Sequence, residues 1–235
     1  MSETNEVRIS RDMVDCFSGT GFFKVKADAF GIDRLQMDFV SLDGNDKTKL
    51  SISIYINIYK AVTLANDILS GRIPKLVSAS KEKAANEGKT YPAAVWEDFG
   101  GLGVASVKAK ASKQPSLQKY SEKNQAVSRT IRLAPGAKAE YVFTATQCAG
   151  KEIKRGAITP VQNAERENVM VGFDADKLKE IAYAILTEWD AYIKTQYMRG
   201  AYKSTWDNGS NQQQRSNNAG YNTPPSQAKF DDKPL

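Results

Sequence analysis

The sequence predicts an α+β fold in which two tandem units, each of four strands followed by one helix, form antiparallel sheets backed by helices. Three observations predict it: alternating apolar stretches typical of half-buried strands, two helix-period stripes 117 residues apart, and turn residues between them. The chain has 235 residues, 41% of them hydrophobic, which is enough for one substantial core.

The two predicted helices give the strongest evidence for a duplication. They start after Asn57 and Asp174, and both residue types are favoured N-caps because a short side-chain oxygen can accept from first-turn amides. The apolar positions that follow have the spacing of one buried helix face. They are Ala61, Leu64, Ala65, Ile68 and Leu69 in the first copy, and Leu178, Ile181, Ala182, Ile185 and Leu186 in the second. The first helix is expected to end near Gly71 and Pro74, and the second near Met198.

Four strand-like stretches precede each helix at the same offset. They cover residues 7–13, 21–30, 34–42 and 49–56 in the first copy, and 124–130, 138–147, 151–159 and 166–173 in the second. A body of residues 1–200 thus holds repeat one, about 7–71, and repeat two, about 124–198. The insert of about 72–123 is expected to hold a loop or short helix at 81–89 and strands at 93–99 and 103–109.

The positive charge of the chain is concentrated in its middle. The net charge is +6, and residues 101–155 alone carry 11 Lys/Arg against 3 Asp/Glu. Clustering of this kind is expected of a protein that binds a polyanion such as a nucleic acid. The alternative is a lysine-rich surface that only keeps the protein in solution.

The composition argues against most enzyme classes. The chain has no histidine, and therefore lacks the commonest general base and the commonest metal ligand. Two distant cysteines, Cys16 and Cys148, are too few for a metal site or a disulfide framework. We therefore expect a binding protein without cofactor or metal. No apolar run approaches ~20 residues and the N-terminus has no signal-peptide pattern, so we expect a cytoplasmic protein without membrane association.

The predicted tandem of four strands and a helix is similar to the Whirly family of single-stranded nucleic-acid-binding proteins, over residues 7–198. Half of it resembles the positive-cofactor-four type of fold. The stretch Val107-Lys108-Ala109-Lys110-Ala111 resembles the lysine-glycine-lysine strand motif of the Whirly family, with alanine in place of glycine. The resemblance implies strands that present a nucleic-acid surface, helices packed behind them and a symmetric homo-oligomer. It makes Lys108 and Lys110 candidate binding residues.

Alternation along residues 21–30 predicts a face suited to a single strand. Phe22, Lys24 and Lys26 share one side of this strand, and Phe23 and Val25 lie on the core side. Lysines can follow the phosphates while an aromatic ring stacks on a base. Further candidates are Tyr141, which aligns with Lys24, and the basic residues Arg129, Arg132, Lys151, Lys154 and Arg155.

The composition changes after Met198. Residues 201–227 are dominated by Ser, Asn, Gln and Gly, which predicts a disordered linker because such a segment cannot bury enough apolar surface. The acidic tip, residues 228–235, resembles the tail of bacterial single-stranded DNA-binding proteins, although Lys233 and a terminal leucine depart from that pattern. The resemblance implies docking of replication or recombination proteins through Phe230, Asp231, Asp232, Pro234 and Leu235.

Together these features predict a single-stranded DNA-binding protein of a phage or plasmid that coats exposed strands during replication, recombination or transfer. An RNA-binding protein of the same architecture remains open, because stacking and phosphate contacts serve both nucleic acids. A structural or assembly protein of a phage or mobile element is a third reading. Strand annealing would be an activity close to the first.

Overall fold

A computed structural model of the chain describes residues 12–45, 47–153 and 156–200. Contacts divide the chain into two units, Met1–Ile193 and Lys194–Leu235, and the second unit is described only over 194–200. The first unit contains two antiparallel sheets with helices, which confirms the α+β prediction. The predicted linker and acidic tip lie outside the described residues.

The first sheet is a meander of four strands in chain order. They are β1 (Asp12–Ser18), β2 (Gly21–Lys26), β3 (Arg34–Leu42) and β4 (Thr48–Asn57). Strand β3 has the predicted bounds. The strand predicted at 21–30 ends early, at Lys26, because Phe30 begins a 3-10 turn that closes at Asp33 with φ 53°. Residues 12–18 form β1, whereas the prediction of 7–13 lies mostly outside the described residues.

Both predicted helices and their caps are confirmed. Helix α1 (Ile58–Leu69) begins after Asn57, whose Oδ1 accepts from the Tyr59 amide at 3.0 Å. The second predicted helix covers Ala175–Met198, and Asp174 Oδ1 accepts from the Lys177 amide at 2.8 Å. In each stripe the first four predicted positions are buried and the fifth, Leu69 or Leu186, packs against the core while partly exposed.

The segment between the two predicted copies contains more helix than expected. Helix α2 (Arg72–Asn86) follows Gly71 and accommodates Pro74 in its first turn, where no helical hydrogen bond is lost. Strand β5 (Trp96–Leu102), helix α3 (Val104–Ala111), a 3-10 turn (Pro115–Leu117) and helix α4 (Gln118–Glu122) come next. The strand predicted at 103–109 is therefore wrong.

Tertiary contacts explain why residues 104–111 are helical. The Glu152 carboxylate accepts from the Val104 amide at 2.7 Å, which satisfies a donor at the start of α3. Val107 is fully buried in a small core with Leu102 and Leu117. The lysines and alanines of this stretch have good helix propensity, which outweighs their apparent alternation.

The second sheet gains β5 from the predicted insert, and only a short strand forms where a full one was expected at 151–159. It contains β5, β6 (Ala126–Pro135), β7 (Tyr141–Glu152), β8 (Ile158–Pro160) and β9 (Arg166–Phe173). The order is β5-β6-β7, and β8 and β9 both pair with the edge of β7 that faces away from β6. The full strand predicted at 151–159 is thus wrong. The second unit of four strands and a helix therefore consists of β5, β6, β7, β9 and helix α5 (Ala175–Met198), and its first strand comes from the predicted insert.

The core lies between the two sheets. The Phe23 ring on β2 contacts Phe143 on β7 and Phe173 on β9, with centroids 5.6 and 5.7 Å apart. The helices close the core at its sides, since Phe30 contacts the Trp189 ring of α5 at 5.3 Å. This arrangement leaves the opposite, outer face of each sheet as a candidate ligand surface.

Candidate nucleic-acid interface

The outer face of the first sheet carries the predicted pattern on β2. Phe22, Lys24 and Lys26 point away from the core, while Phe23 and Val25 are fully buried. The structure therefore places these three predicted residues together on one surface.

Phe17 adds a second aromatic ring to this face. It pairs with Phe22 across β1 and β2, with ring centroids 5.1 Å apart, and is 65% exposed. An exposed pair of rings is a platform on which unpaired bases can stack. The sequence prediction missed Phe17 because it ended the first strand at residue 13. The alternation of Val14 and Cys16 with Asp15 and Phe17 was the available signal.

Carboxylates neutralise the two lysines of β2. Lys24 Nζ lies 2.5 Å from an Asp12 carboxylate oxygen, and Lys26 Nζ lies 2.9 Å from Asp38 Oδ2. The hydrogen bond to Asp38 raises the pKa of Lys26. A phosphate would therefore have to compete with these carboxylates for the two lysines.

Helix α3 brings a further cation to the same face. Lys110 Nζ lies 4.7 Å from the centre of the Tyr55 ring, on β4, in cation–π geometry. Lys108, on the same helix, is exposed. Lys110 thus borders the first sheet from a helix and not from a strand, whereas Lys108, two residues earlier, lies on another side of α3.

The chain after α3 follows the free edge of β4. Gln114 Nε2 donates to Ser53 Oγ at 3.3 Å, and Ser116 Oγ donates to the Ser51 carbonyl at 2.9 Å. Exposed Lys113 lies in the same stretch. The β4 side of the outer face consequently has a basic border, whereas Asp12 and Asp15 make the β1 side acidic.

For two residues, Arg129 and Tyr141, the prediction of an accessible binding side chain is wrong. Arg129 is only 3% exposed on the inner face of β6, where Nη1 donates to the Ser53 carbonyl at 2.6 Å. Burial lowers the pKa of Arg129 to about 10. Tyr141 is 6% exposed and stacks on Phe173, with centroids 6.1 Å apart. Neither side chain is available to a nucleic acid on the folded protein.

Arg129 belongs to a polar network that links both sheets to α4. Its Nη2 contacts Gln147 Oε1 at 3.4 Å, and Gln147 Nε2 donates to Glu167 Oε2 at 3.0 Å. Glu167 also accepts from the Tyr120 hydroxyl at 3.1 Å and pairs with Lys119 at 2.7 Å. The network holds the basic α3–α4 segment against the sheets.

The outer face of the second sheet is a rival surface with fewer aromatic rings. Phe99 and Met170 are 64% and 59% exposed there. Predicted Arg132 lies on the same face, but its Nε is 3.1 Å from Glu97 Oε2. Three threonines lie between them on β6 and β7, at positions 130, 144 and 146.

Of the remaining predicted residues, Lys151 is exposed at the end of β7. Lys154, Arg155 and the tip residues Phe230, Asp231, Asp232, Pro234 and Leu235 lie outside the described residues.

Two further kinds of feature are absent from the part of the chain that the structure describes. Across residues 12–45, 47–153 and 156–200, no group of three or more Cys, Asp or Glu side chains could hold a metal ion. None of the helices in the same ranges is long and apolar enough to cross a membrane.

Comparisons with known proteins identify no family for this chain. No family model matches the sequence, and no curated protein matches it. Among solved structures, the chain is similar to the plant transcriptional regulator PBF-2, with 7% sequence identity and a TM-score of 0.43. The match covers 81% of this chain and 86% of that chain. A similarity at this level does not bear on function.

Proposed function

We propose that this chain is a non-enzymatic single-stranded DNA-binding protein that holds the strand on the outer face of its first sheet. The observation that carries the proposal is the pair formed by exposed Phe17 and half-buried Phe22, which lies beside Lys24 and Lys26 on the outer face of the first sheet. Rings of this kind select unpaired bases, because the bases of a duplex are already stacked on one another.

The charges around this face support binding of a phosphate backbone. Lys110 and Lys113 border the β4 side, Lys47 directly precedes β4 and Lys49 lies at its start. Because Asp12 and Asp38 neutralise the central lysines, most of the electrostatic attraction comes from this border. The affinity should then fall as the salt concentration rises. The slope of log affinity against log salt should be shallow, because few phosphates are contacted.

The proposed binding mode suits a protein that coats exposed DNA. A protein that binds single strands through stacking and phosphate contacts has little sequence preference and can coat exposed DNA in replication, recombination or transfer. The acidic tip would recruit replication or recombination proteins, with Asp231 and Asp232 meeting a basic rim and Leu235 filling a pocket.

The test is fluorescence anisotropy with a labelled oligonucleotide of ~30 nucleotides, as single-stranded DNA, RNA and duplex, across a salt series. We expect the single strand to bind more tightly than the duplex. Phe17→Ala should weaken binding about tenfold, in line with the stacking of one base. Phe99→Ala is the matched control, because that ring is equally exposed on a strand of the other sheet.

The outcomes separate the alternatives. Tighter binding to RNA would favour the RNA-binding reading. An effect of Phe99→Ala without an effect of Phe17→Ala would move the interface to the second sheet. The absence of binding at low salt by folded protein would reject the proposal. It would favour an assembly protein whose subunits meet through the exposed Phe99 and Met170 side chains.

A further inference from the structure

A groove of about 560 Å³ opens between the end of the first sheet and β9 of the second. Its volume falls within the ~300–1,000 Å³ typical of small-molecule sites. The residues that matter for its chemistry come from β3, β4 and β9: Ser41, Leu42, Lys49, Leu50, Asn168 and Met170.

We propose that this groove receives one nucleobase of the bound single strand. The inference rests on the proposed function and adds to it a base-binding subsite that lies off the sheet face. Three properties of the groove support it: its position, the chemistry of its walls and its charge.

The groove lies at the same end of the first sheet as the aromatic rings. Phe22 pairs with Val40 across β2 and β3, and the next pair along these strands is Gly21 with Ser41, at the wall of the groove. Successive residues of a strand point to opposite faces, so Ser41 lies on the inner side of the sheet and the Phe17–Phe22 rings lie on its outer side. A nucleic-acid strand stacked on the rings would reach the groove by passing around the turn between β1 and β2, where Thr20 lines the groove.

The walls match the two surfaces of a base. Leu42, Leu50 and Met170 are apolar and can cover the flat face of a base. Asn168 can serve the polar edge of the base. Its Oδ1 accepts from the Thr146 hydroxyl at 2.7 Å, which fixes the amide and leaves its N–H groups to donate to a base carbonyl.

The charge at the groove suits an anionic ligand such as a nucleotide more than a second apolar surface. Lys49 is exposed at the groove and forms no ion pair with any residue that the structure describes. Among the described residues that line the groove, Glu167 carries the one carboxylate, which is paired with Lys119 at 2.7 Å and bonded to Gln147 and Tyr120. Its charge is compensated, so a phosphate near Lys49 meets little repulsion.

Photo-crosslinking tests the location directly. A single-stranded oligonucleotide of ~30 thymidines with scattered 5-iododeoxyuridine would be irradiated with the full-length protein and the crosslinked peptides mapped by mass spectrometry. We expect crosslinks within residues 41–50 or 166–173, in addition to the Phe17–Phe22 face. Crosslinks confined to that face would overturn the subsite and leave the proposed function intact.

A pair of substitutions tests the energetics. Combined Asn168→Ala and Met170→Ala should weaken binding to oligothymidylate about tenfold, and should leave binding to an abasic oligonucleotide of the same length unchanged. The matched control combines Asn66→Ala and Met198→Ala, both exposed and on helices. Urea midpoints would verify that all variants fold.

The possible results are distinct. Unchanged binding of the double variant to oligothymidylate, or an equal loss for the abasic strand, contradicts a base subsite. If wild-type protein binds no single strand, the proposed function fails and the subsite fails with it.

Discussion

The guanidinium of Arg129 donates to the main-chain carbonyl of Ser53 at 2.6 Å and so ties the second sheet to the edge of the first. The same side chain contacts Gln114 and Gln147, and its Nε has no hydrogen-bond partner among the described residues. The charge of Arg129 is costly to bury, and burial lowers its pKa to about 10. A nearly buried cation in this position has a structural role.

Arg129→Met should lower the free energy of unfolding by about 2 kcal/mol. The Ser53 carbonyl and the two glutamine oxygens would lose their donor, at about 1–3 kcal/mol for a buried unsatisfied group, and removal of the buried charge would offset part of this cost. Urea unfolding monitored by circular dichroism measures the change.

Arg132→Met is the control, three residues along the same strand. Its guanidinium is nearly half exposed and pairs with Glu97, so we expect a change within about 0.5 kcal/mol. Equal losses in the two variants would contradict a special role for Arg129.

Asp38→Asn should strengthen the binding of single-stranded DNA. The substitution keeps the side-chain shape but releases Lys26, whose Nζ lies 2.9 Å from Asp38 Oδ2, to contact a phosphate. We expect affinity at low salt to rise about threefold and the salt dependence to become steeper. Anisotropy titrations at several salt concentrations measure both.

Asp176→Asn makes the same change in net charge on α5, where the carboxylate is 95% exposed beside Lys179. If both variants gain affinity equally, only net charge matters and the first sheet is not the binding face. Lys26→Gln should have the opposite effect to Asp38→Asn.

Tyr120→Phe should flatten the loss of stability at high pH. Burial, and next the charge of Glu167, raise the pKa of Tyr120 well above its usual value near 10. Above pH 10 the Tyr120 hydroxyl loses its proton in the unfolded chain but keeps it in the folded chain. The free energy of unfolding that is present below pH 10 is therefore lost as the pH rises. Urea unfolding between pH 9 and 11 should show a wild-type slope steeper by up to about 1.4 kcal/mol per pH unit. Identical slopes would contradict the assignment.

Both cysteines should resist alkylation in the folded protein. Cys16 and Cys148 are 7% and 5% exposed, and burial raises the pKa of each thiol, which suppresses the reactive thiolate. Iodoacetamide labelling followed by mass spectrometry should be at least about tenfold slower in buffer than in urea. Rapid labelling of native protein would show that one of these strands opens readily.

The sequence predicts the helices better than the strands, for a physical reason. A helix can be predicted from residues close together in the sequence, here the caps Asn57 and Asp174 and the apolar stripes that follow them. Partner choice in a sheet depends on distant residues. Nothing local shows that β8 and β9 share one edge of β7, or that β5 begins the second sheet.

The candidate site shows the same division. Alternation in β2 placed Phe22, Lys24 and Lys26 correctly on one face, because their neighbours Phe23 and Val25 are plainly apolar. Alternation alone does not say which face of a strand is covered by a second sheet. The alignment of Tyr141 with Lys24 and the charge of Arg129 predict accessible side chains, but the packing of the two sheets buries both.

The contacts along β4 also affect how neighbouring copies would behave on a shared strand. Ser116 and Arg129 occupy the carbonyls of Ser51 and Ser53, which an incoming strand would otherwise use. A coated filament brings many copies close together, where exposed sheet edges tend to fuse. With this edge closed, copies crowded on the DNA strand that we propose they bind should not pair through β4, and protein released from that strand should not be joined at this edge. Light scattering of Ser116→Ala protein during cycles of binding and release would measure how much this closure contributes.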